Sequence, residues 1–545
     1  MNALAAQFGP ALLVAALAAP LVVLAIFLAP GSRGLARAMT PLAAAPAFVA
    51  AALAIGGAPF GAELPALRMS LSLDQPGGFL LLAAALVWLI VSAFALREGH
   101  GRPTADRFAV SWLLTMAGSL GVFIAADLLT FYLVYALVSI SAYYLVAHDE
   151  GAGSIRAGAL YLAFALIGEA VLLIAFVMLA VAEPSGSLLI RDVVGALPAS
   201  PWRDAALALI IIGFGMKIAL IPLHGWMPLT YTAAPIPAAA VLSGAAVKAG
   251  VIGLIRFLPL SAAFPGWGEA LALAGFISAF YGVAIGVTQR DPKTMLAYSS
   301  VSQMGVIAAA LGMGLASEQQ GAATEVAFYA ANHVLVKAAL FLTVGAVATL
   351  DGRARTLALI IAALLGLSLA GLPLTGGSLA KLAVKDLFGA GAAGVASQLS
   401  AGATTALMLV FVMRLARSAR EAGALSPRRR WSWAALAAAA LLVPWLLFPA
   451  VGGPAEALEP AKLIDATWPM LIGAALAAGL WAIRHRLLHI PAGDIVVAQE
   501  AAFRASARLG EAFERADRDM RQWPAAGLAL IVIALALTAA GWASR

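Results

Sequence analysis

The stretch GFGMKIALIPLHGW, residues 213–226, decides the class of fold because it places a charge and a helix breaker inside an apolar run. Lys217 lies in the apolar part, and Pro222 and His224 follow it. Proline removes a backbone donor, and a helix in lipid tolerates that loss only where neighbouring groups satisfy the freed backbone. An interrupted helix that carries a titratable side chain therefore predicts a functional site inside a membrane protein.

The composition of the whole chain is that of a membrane protein. Of the 545 residues, 63% are hydrophobic and 11% are charged, against roughly 25% charged in a typical soluble domain. A soluble chain of this length could not bury so much apolar surface in one core. The chain has no cysteine, which excludes disulfides, cysteine-ligated zinc and cysteine-bound iron–sulfur clusters.

Apolar runs long enough to cross a bilayer recur along the chain. A helix needs about 17–25 residues to cross about 30 Å of hydrocarbon, and about sixteen runs meet this length. They lie near residues 9–30, 41–57, 78–97, 108–126, 128–147, 157–182, 205–222, 236–258, 270–288, 295–315, 326–349, 357–388, 398–416, 431–450, 468–483 and 525–542. We therefore expect an all-α polytopic membrane protein with about 14–16 transmembrane helices.

Basic residues in the loops predict the orientation. With the N-terminus outside, 23 arginines and lysines fall in inward loops and 7 in outward loops or ends. Because positive loops stay cytoplasmic, we expect a multi-pass protein of a bacterial-type inner membrane with its N-terminus outside. The same bias explains the net charge of +7 without nucleic acid as a partner.

Four lysines lie inside predicted spans, whereas no arginine lies in the middle of one. The lysines are Lys217, Lys248, Lys337 and Lys381. Each costs about 2.5–3.5 kcal/mol to insert, and lysine, unlike arginine, can lose its proton when it is removed from water. One such lysine could pair with a carboxylate or extend to the interface. Four of them, with too few buried acids to pair them, predict proton handling.

Three further polar residues accompany these lysines. His333 precedes Lys337 by four residues, so both project from one helix face; it is either a relay or a helix–helix hydrogen-bond partner. Glu169 is the only acid well inside a predicted span. His224 follows a proline near the end of its span, where it is either a relay or a cap on freed backbone groups.

A second stretch, AGLPLTGGSLAK at residues 370–381, repeats the pattern of the first. Each contains Pro-Leu followed two residues later by glycine, and each carries a lysine, Lys217 or Lys381. Interrupted helices at corresponding positions in two halves indicate inverted repeats with ion sites at the breaks. Spacing alone is weak support, since glycine and proline are common in membrane helices.

Several long motifs, in this order, resemble the antiporter-like subunits of complex I. The large Mrp sodium/proton antiporter subunits and the membrane subunits of energy-converting hydrogenases belong to the same superfamily. The motifs are GFGMKIALIPLHGWMP at 213–228, LSGAAVKAGV at 242–251, DPKTMLAYSSVSQMG at 291–305, NHVLVKAALFL at 332–342 and GLPLTGGSLAK at 371–381. The resemblance covers approximately residues 75–420, and SIRAGALYL at 154–162 is most similar to the hydrogenase-4 and formate-hydrogenlyase branch.

The resemblance implies a fold and a set of roles. The fold is two inverted five-helix repeats, each with one broken helix, at residues 108–258 and 270–420, with further helices at 1–107 and 431–545. By this resemblance Lys217 is the switchable input lysine and Lys381 is the outlet lysine. The central polar axis between them contains Lys248 and the pair His333 and Lys337. Protons would cross along this axis through transient water.

One position departs from the family's pattern. The family usually has a glutamate on the fifth helix that pairs with the input lysine, whereas this chain has Ala136 in the corresponding segment FYLVYALVS, residues 131–139. Either Glu169, on the next helix, has taken over that role, or the first half no longer gates conduction. We hypothesise that Glu169 is the partner of Lys217, directly or through water; its rival role is a hydrogen bond to a neighbouring subunit.

Residues 495–523 predict an amphipathic connector helix before the last span, because their large apolar side chains fall near one face. It resembles a shortened form of the lateral helix of some complex I-type subunits. The alternative is an interfacial helix that lies on lipid without a partner.

Three classes of function fit these observations. The first is a proton-translocating subunit of a multi-subunit assembly related to complex I, Mrp antiporters or hydrogenases. Proton movement would be driven by redox chemistry of the NADH, ferredoxin or hydrogen:quinone type, or it would be coupled to a second ion such as sodium. The second is a cation/proton antiporter, or the membrane half of a two-protein inorganic-carbon uptake system. The third is a non-conducting scaffold, which Ala136 favours. The chain shows no phosphate loop, metal-ligand cluster or nucleophile constellation, so we expect no bound cofactor or metal and no catalysis by this chain alone.

Overall fold

The computed structural model describes residues 2–29, 31–95, 103–319, 321–420, 425–486, 488, 490–497 and 515. The chain divides into two units, Met1–Ala492 and Gly493–Arg545. The first unit is a helical bundle. In the second, residues 493–497 and 515 are described, so most of the predicted connector 495–523 and all of the predicted span 525–542 lie outside the described residues.

The N-terminal part contains four helices and a β-hairpin that the sequence analysis did not predict. The elements are α1 (Asn2–Leu28), α2 (Arg33–Met39), α3 (Ala45–Ile55), β1 (Phe60–Leu64), β2 (Met69–Leu73) and α4 (Gln75–Ala95). A 3₁₀ turn joins α2 to α3, so that they run on as one candidate span. β1 and β2 pair antiparallel, with Phe60 opposite Leu73. The hairpin is fastened to the next region because Ser70 donates its N–H to the Asp127 carboxylate at 2.7 Å.

The region that follows contains the first broken helix. Its elements are α5 (Pro103–Gly121), α6 (Leu128–Val146), α7 (Ala152–Ala182), α8 (Ile190–Ala196), α9 (Arg203–Ile218), α10 (Trp226–Ala233), α11 (Ile236–Val241) and α12 (Lys248–Phe257). Asp127 caps α6, since its carboxylate accepts the N–H of Thr130 at 2.8 Å. A π-helical turn, Leu242–Ala246, separates α11 from α12.

The remaining helices form the second half and the C-terminal part of the bundle. They are α13 (Pro265–Gly286), α14 (Pro292–Ser317), α15 (Ala322–Thr349), α16 (Gly352–Ala370), α17 (Gly376–Ala383), α18 (Lys385–Phe388), α19 (Ala392–Ala416), α20 (Pro427–Leu447), α21 (Pro454–Ala457) and α22 (Pro460–Ala482). Asp291 caps α14 by accepting the N–H of Thr294 at 2.9 Å, and Pro292 takes the first helical position.

Thirteen helices in the described part of the chain are long and apolar enough to cross a membrane. The prediction of a polytopic helical membrane protein is thus confirmed. Two predicted runs, 108–126 and 205–222, form the helices α5 and α9, which are not among these thirteen candidate spans. α9 is only 16 residues long because the helix is interrupted after Ile218. The run 357–388, predicted as a single span, is corrected to α16 followed by the shorter α17 and α18.

Two helices are interrupted where the sequence carries its breakers. α9 ends at Ile218, and Ala219 adopts a left-handed conformation (φ 60°) before the chain resumes as α10. α16 ends at Ala370, and Gly371 takes a positive φ of 106° before α17 begins. Glycine adopts this conformation without steric cost, and a proline lies in each gap, where it offers no N–H to continue the helix.

The centre of the bundle is formed by the span that contains α11 and α12 together with α14 and α15. In the most apolar 18-residue stretch of these spans, 100%, 89% and 94% of the residues are buried, against 17% in the corresponding stretch of α22. Close backbone approach supports this centre: a Cβ on Gly275 of α13 would lie 2.5 Å from the carbonyl oxygen of Gly305 on α14. Small residues at helix interfaces allow this packing in membranes. Side chains on α12 and α15 are therefore remote from lipid.

Candidate functional site

Lys248 and His333 meet at the centre of the bundle. Lys248 is the first residue of α12, and its Nζ lies 2.8 Å from Nδ1 of His333 on α15. Both side chains are fully buried. Nζ also lies 3.4 Å from the carbonyl oxygen of Ser243, inside the π-helical turn. Such turns recur at functional sites, and this one directs Lys248 to the histidine.

Lys337 completes the central group. It lies one turn after His333 on α15, is fully buried, and donates from Nζ to the carbonyl oxygen of Leu296 on α14 at 2.8 Å. His333 interacts electrostatically with both Lys248 and Lys337, and no described carboxylate contributes to the group. Nε2 of His333 is buried without a hydrogen-bond partner among the described residues. Three positive charges this close would repel strongly in a low-dielectric interior, so the three groups are not expected to carry their protons at the same time.

Lys217 lies at the first break, in a cage of hydroxyl and aromatic groups. It is the penultimate residue of α9 and is 6% exposed. Its Nζ donates to the Ser139 hydroxyl at 2.8 Å and lies 3.5 Å from the Tyr161 hydroxyl. Nζ also lies 5.0 Å from the ring centroid of Tyr135 and 5.6 Å from that of Tyr161. Aromatic faces at these distances stabilise the charged ammonium.

Glu169 reaches the same cage from α7. Its side chain is 4% exposed, it interacts with the Ser139 hydroxyl, and it attracts Lys217 electrostatically. Its Oε1 is buried without a hydrogen-bond partner among the described residues. Ser139 stands one turn after Ala136 on α6, so the serine hydroxyl links the carboxylate of one helix to the lysine of another.

A small cavity lies between the Lys217 cage and the π-helical turn that precedes Lys248. Its volume is about 10 Å³, and its lining includes Tyr161, Lys217, Thr230 and Leu242. This volume is close to that needed for a single water. Oγ1 of Thr230, a residue of this lining, is buried without a hydrogen-bond partner in the described part of the chain.

A row of polar side chains leads from the central group toward α19. The Tyr329 hydroxyl, one turn before His333, donates to Oε1 of Gln303 at 2.8 Å. Nε2 of Gln303 donates to Oγ1 of Thr404 on α19 at 3.2 Å. All three of these side chains are buried.

Lys381 lies at the second break, beside a cavity. The cavity has a volume of about 130 Å³, and its lining includes Ser378, Lys381, Gln398 and Asp465. The stem of Lys381 packs on Gly371, where a Cβ would lie 2.8 Å from Cδ of the lysine. No described residue forms a hydrogen bond with Nζ of Lys381.

His224 is fully buried within the first break, and its ring packs on the rings of Tyr281 and Tyr298, with centroids 5.1 and 6.4 Å away. The structure thus places His224 against tyrosines of α13 and α14. In the described part of the chain, one central group contains Lys248, His333 and Lys337. Lys217 lies with Glu169 in a second group. Lys217 and Lys381 lie at the two separate breaks. No cluster of His, Asp and Glu in the described residues could hold a metal ion.

Sequence analysis missed Ser139, Tyr161 and Gln303. A signal existed for the first, because Ser139 follows Ala136 by three residues and therefore lies near the same helix face. No comparable signal marked Gln303, whose role depends on how α14, α15 and α19 pack together.

Such a bundle of membrane helices, with basic groups buried at its centre and at two helix breaks, defines an antiporter-like membrane subunit. Residues 125–408 match the family described as NADH:quinone oxidoreductase/Mrp antiporter, TM. This chain belongs to that family. The resemblance expected from the motifs is confirmed, including the hydrogenase branch.

Two relatives illustrate the relationship. The chain is 31% identical over 296 residues to hydrogenase-4 component B of Escherichia coli (strain K12). The aligned region covers 51% of this chain and 43% of that protein. It is 34% identical over 301 residues to NADH-quinone oxidoreductase subunit N of Desulforudis audaxviator (strain MP104C). That aligned region covers 52% of this chain and 57% of that protein. The matched region spans about half the length of these relatives.

A solved structure shares the fold over almost the whole chain. The Mrp complex from Dietzia sp. DQ12-45-1b contains a chain that superposes with a TM-score of 0.74 at 23% identity, covering 98% of this chain and 63% of that one. The two chains therefore share a fold.

Proposed function

We propose that this chain moves protons across the membrane as an antiporter-like subunit of a larger assembly related to complex I, Mrp antiporters or hydrogenases. Its partners would be other membrane subunits and the surrounding lipid, and redox chemistry elsewhere in the assembly would drive it. We further propose that it lies in a bacterial-type cytoplasmic membrane with its N-terminus outside, as the loop charges favour.

The central group is the observation that carries the proposal. Lys248, His333 and Lys337 are buried together, 2.8 Å separates the nitrogens of the first two, and no described carboxylate neutralises them. A purely structural centre would gain nothing from such a group, because burying charge without a partner is costly. Titratable nitrogens within hydrogen-bond reach of each other can instead pass a proton.

The two breaks supply the ends of the proposed path. At the first, Lys217 would exchange its proton with the centre through the water-sized cavity beside Thr230. At the second, the row from Tyr329 through Gln303 to Thr404 would carry protons toward the cavity beside Lys381. His224, buried in the first break, would connect the cage to the inward side.

We propose that Glu169 supplies the counter-charge for Lys217 in place of the acid absent at position 136. The support is its interaction with Ser139, which also accepts the hydrogen bond from Lys217. When Ser139 rotates its hydroxyl between the two groups, it can couple the protonation of the carboxylate to that of the lysine. This supports conduction in the first half over the scaffold hypothesis.

We also propose that residues 108–258 and 270–420 are inverted repeats, with accessory helices in 1–107 and 431–545. The support is the matching interruption of α9–α10 and α16–α17, each beside a lysine. In other transporters such interruptions lie at the ion sites of paired repeats.

The test is proton movement by the purified assembly in vesicles that contain a pH-sensitive dye. Lys248→Met and Lys337→Met keep the aliphatic stem and remove the titratable group, so each should abolish dye quenching while the protein remains inserted. Arg191→Met is the control, because Arg191 is exposed and pairs with the adjacent Asp192, away from the proposed path; it should retain activity. Normal quenching by both central variants would disprove the proposal and favour a scaffold.

A further inference from the structure

Arginines gather where α19 and α22 end side by side. Arg417 follows α19 and Arg484 follows α22, and their guanidinium carbons lie 4.6 and 5.0 Å from the ring centroid of Trp481. The helices are in close contact along their length: a Cβ on Gly473 would lie 2.3 Å from the carbonyl oxygen of Gly402. Two positive charges are therefore held against one indole at the ends of a tightly packed helix pair.

A third arginine extends this group to α13. Arg414, one turn before Arg417, donates from Nη2 to the carbonyl oxygen of Val287 at 2.9 Å. Its Nη1 is buried without a hydrogen-bond partner among the described residues, and it is close enough to Arg290 for the two charges to repel. A buried donor without an acceptor costs about 1–3 kcal/mol, and the charge of Arg290 adds to that cost, so a negative charge at this end of the bundle would stabilise the arrangement.

Residues Arg290, Arg414, Arg417 and Arg484 are here called the arginine cluster. Within the part of the chain that the structure describes, no carboxylate forms an ion pair with any of them, whereas the nearby Arg420 pairs with Asp351. Arginines at helix C-termini often only satisfy the last carbonyls, and two members of the cluster do so. Each guanidinium has five donors, however, so most of the binding capacity of the cluster is unused.

The apolar surface beside the cluster identifies the kind of molecule that fits. α22 turns its large side chains outward, with only 17% of its span buried. The exposed residues include Leu471, Ile472, Leu476 and Ile483. Tryptophan and arginine at the end of a lipid-facing helix lie at headgroup depth, and basic pockets between membrane helices on the positive side bind anionic headgroups.

We propose that the arginine cluster binds the phosphodiester headgroup of an anionic phospholipid whose acyl chains lie along α22. The phosphate oxygens accept from the two guanidinium groups at Trp481, and the negative charge of the phosphate offsets the repulsion between Arg414 and Arg290. Such charge-assisted hydrogen bonds are about twice as strong as neutral ones. The bound lipid links the end of α22 to the end of α13. This site is independent of the proposed proton path.

The test compares the purified full-length protein in phosphatidylcholine nanodiscs with and without phosphatidylglycerol. Anionic lipid should raise the midpoint of thermal unfolding of the wild type, and native mass spectrometry should detect retained phosphatidylglycerol. Arg417→Gln combined with Arg484→Gln should weaken retention about tenfold or more, because two charged contacts are lost. These side chains are accessible, so the variant should fold; Arg414→Gln provides a second, buried variant.

Two controls keep the result specific. Arg420→Gln removes one charge from the same end of the bundle but not from the cluster, so it should retain the lipid as the wild type does. Inorganic phosphate added to the phosphatidylcholine nanodiscs should not reproduce the stabilisation. If phosphate does so, or if Arg420→Gln loses as much lipid as the double variant, the proposal of a lipid site is wrong. It is also wrong if phosphatidylglycerol has no effect and the double variant instead fails to copurify with the other subunits, because the occupant is then a protein.

Discussion

The two broken helices carry the same kind of motif but hold their lysines differently. At the first break, Lys217 is 6% exposed and is held by the Ser139 hydroxyl and two tyrosine rings, with Glu169 in electrostatic reach. At the second break, Lys381 lines a cavity of about 130 Å³ and has no hydrogen-bond partner among the described residues. One lysine is enclosed and paired, and the other faces space that water can fill.

This difference fits the two roles proposed for these lysines. A lysine held by protein groups changes its protonation only when those groups change, which is what a gate requires. A lysine beside a cavity of this size can exchange protons with water directly, which is what an outlet requires. The lysine is common to both breaks, and the neighbouring helices determine how it is held.

The largest expected effect concerns the charge pair in the enclosed site. Lys217→Met leaves the Glu169 carboxylate buried without its partner, so it should lower the free energy of unfolding by about 3 kcal/mol. Adding Glu169→Gln should recover most of this loss, as a double-mutant cycle in thermal unfolding will measure. Lys381→Met, beside the cavity, should cost much less. Additive losses from Lys217→Met and Glu169→Gln would mean that the two side chains are not coupled.

The next effect concerns access from water. The chain has no cysteine, so single cysteines can be labelled without background. Ser378→Cys in the cavity wall should react with a membrane-impermeant thiol reagent about a hundredfold faster than Ser139→Cys, since the second site must open first. Equal rates would mean that the two breaks do not differ in enclosure.

A smaller effect is expected on proton movement. Glu169→Gln keeps the shape of the side chain but removes its charge, so proton movement in vesicles should fall about tenfold. Ala136→Glu, added to this variant, returns a carboxylate to the face of α6 near Ser139 and should restore part of the rate. Glu150→Gln, a partly exposed carboxylate outside the spans, serves as the control. Normal activity of Glu169→Gln would mean that Glu169 serves another purpose.

The smallest effect concerns the hydroxyl bridge. Ser139→Ala removes the acceptor for Lys217 and should lower the free energy of unfolding by about 1 kcal/mol, with a larger loss of proton movement than of stability. Ser141→Ala is the matched control, because Ser141 is also buried on α6 but bonds to Thr115 and the backbone. If both variants lose proton movement equally, the effect is one of packing rather than of the bridge.

Sequence analysis predicted the class of fold and most of the candidate site. The apolar runs, the lysines inside them and the two proline-containing stretches each follow from local physics: bilayer thickness, the cost of buried charge and the loss of a backbone donor. It missed the β-hairpin at residues 60–73, whose strands are only five residues each. It counted residues 357–388 as one apolar run, although the break that it predicted at residues 370–381 separates α16 from α17 within this run.

The sequence by itself determined that this chain spans a membrane many times, which residues are titratable within the spans and where two helices must break. The tertiary structure alone decided which of these residues meet. It brought Lys248 to His333 across 85 positions of sequence, joined Lys217 to Glu169 through a serine, and left Lys381 beside a cavity. The physical reason is that insertion depends on the apolarity of each segment, whereas contacts between buried polar groups depend on how separate helices rotate and pack against one another.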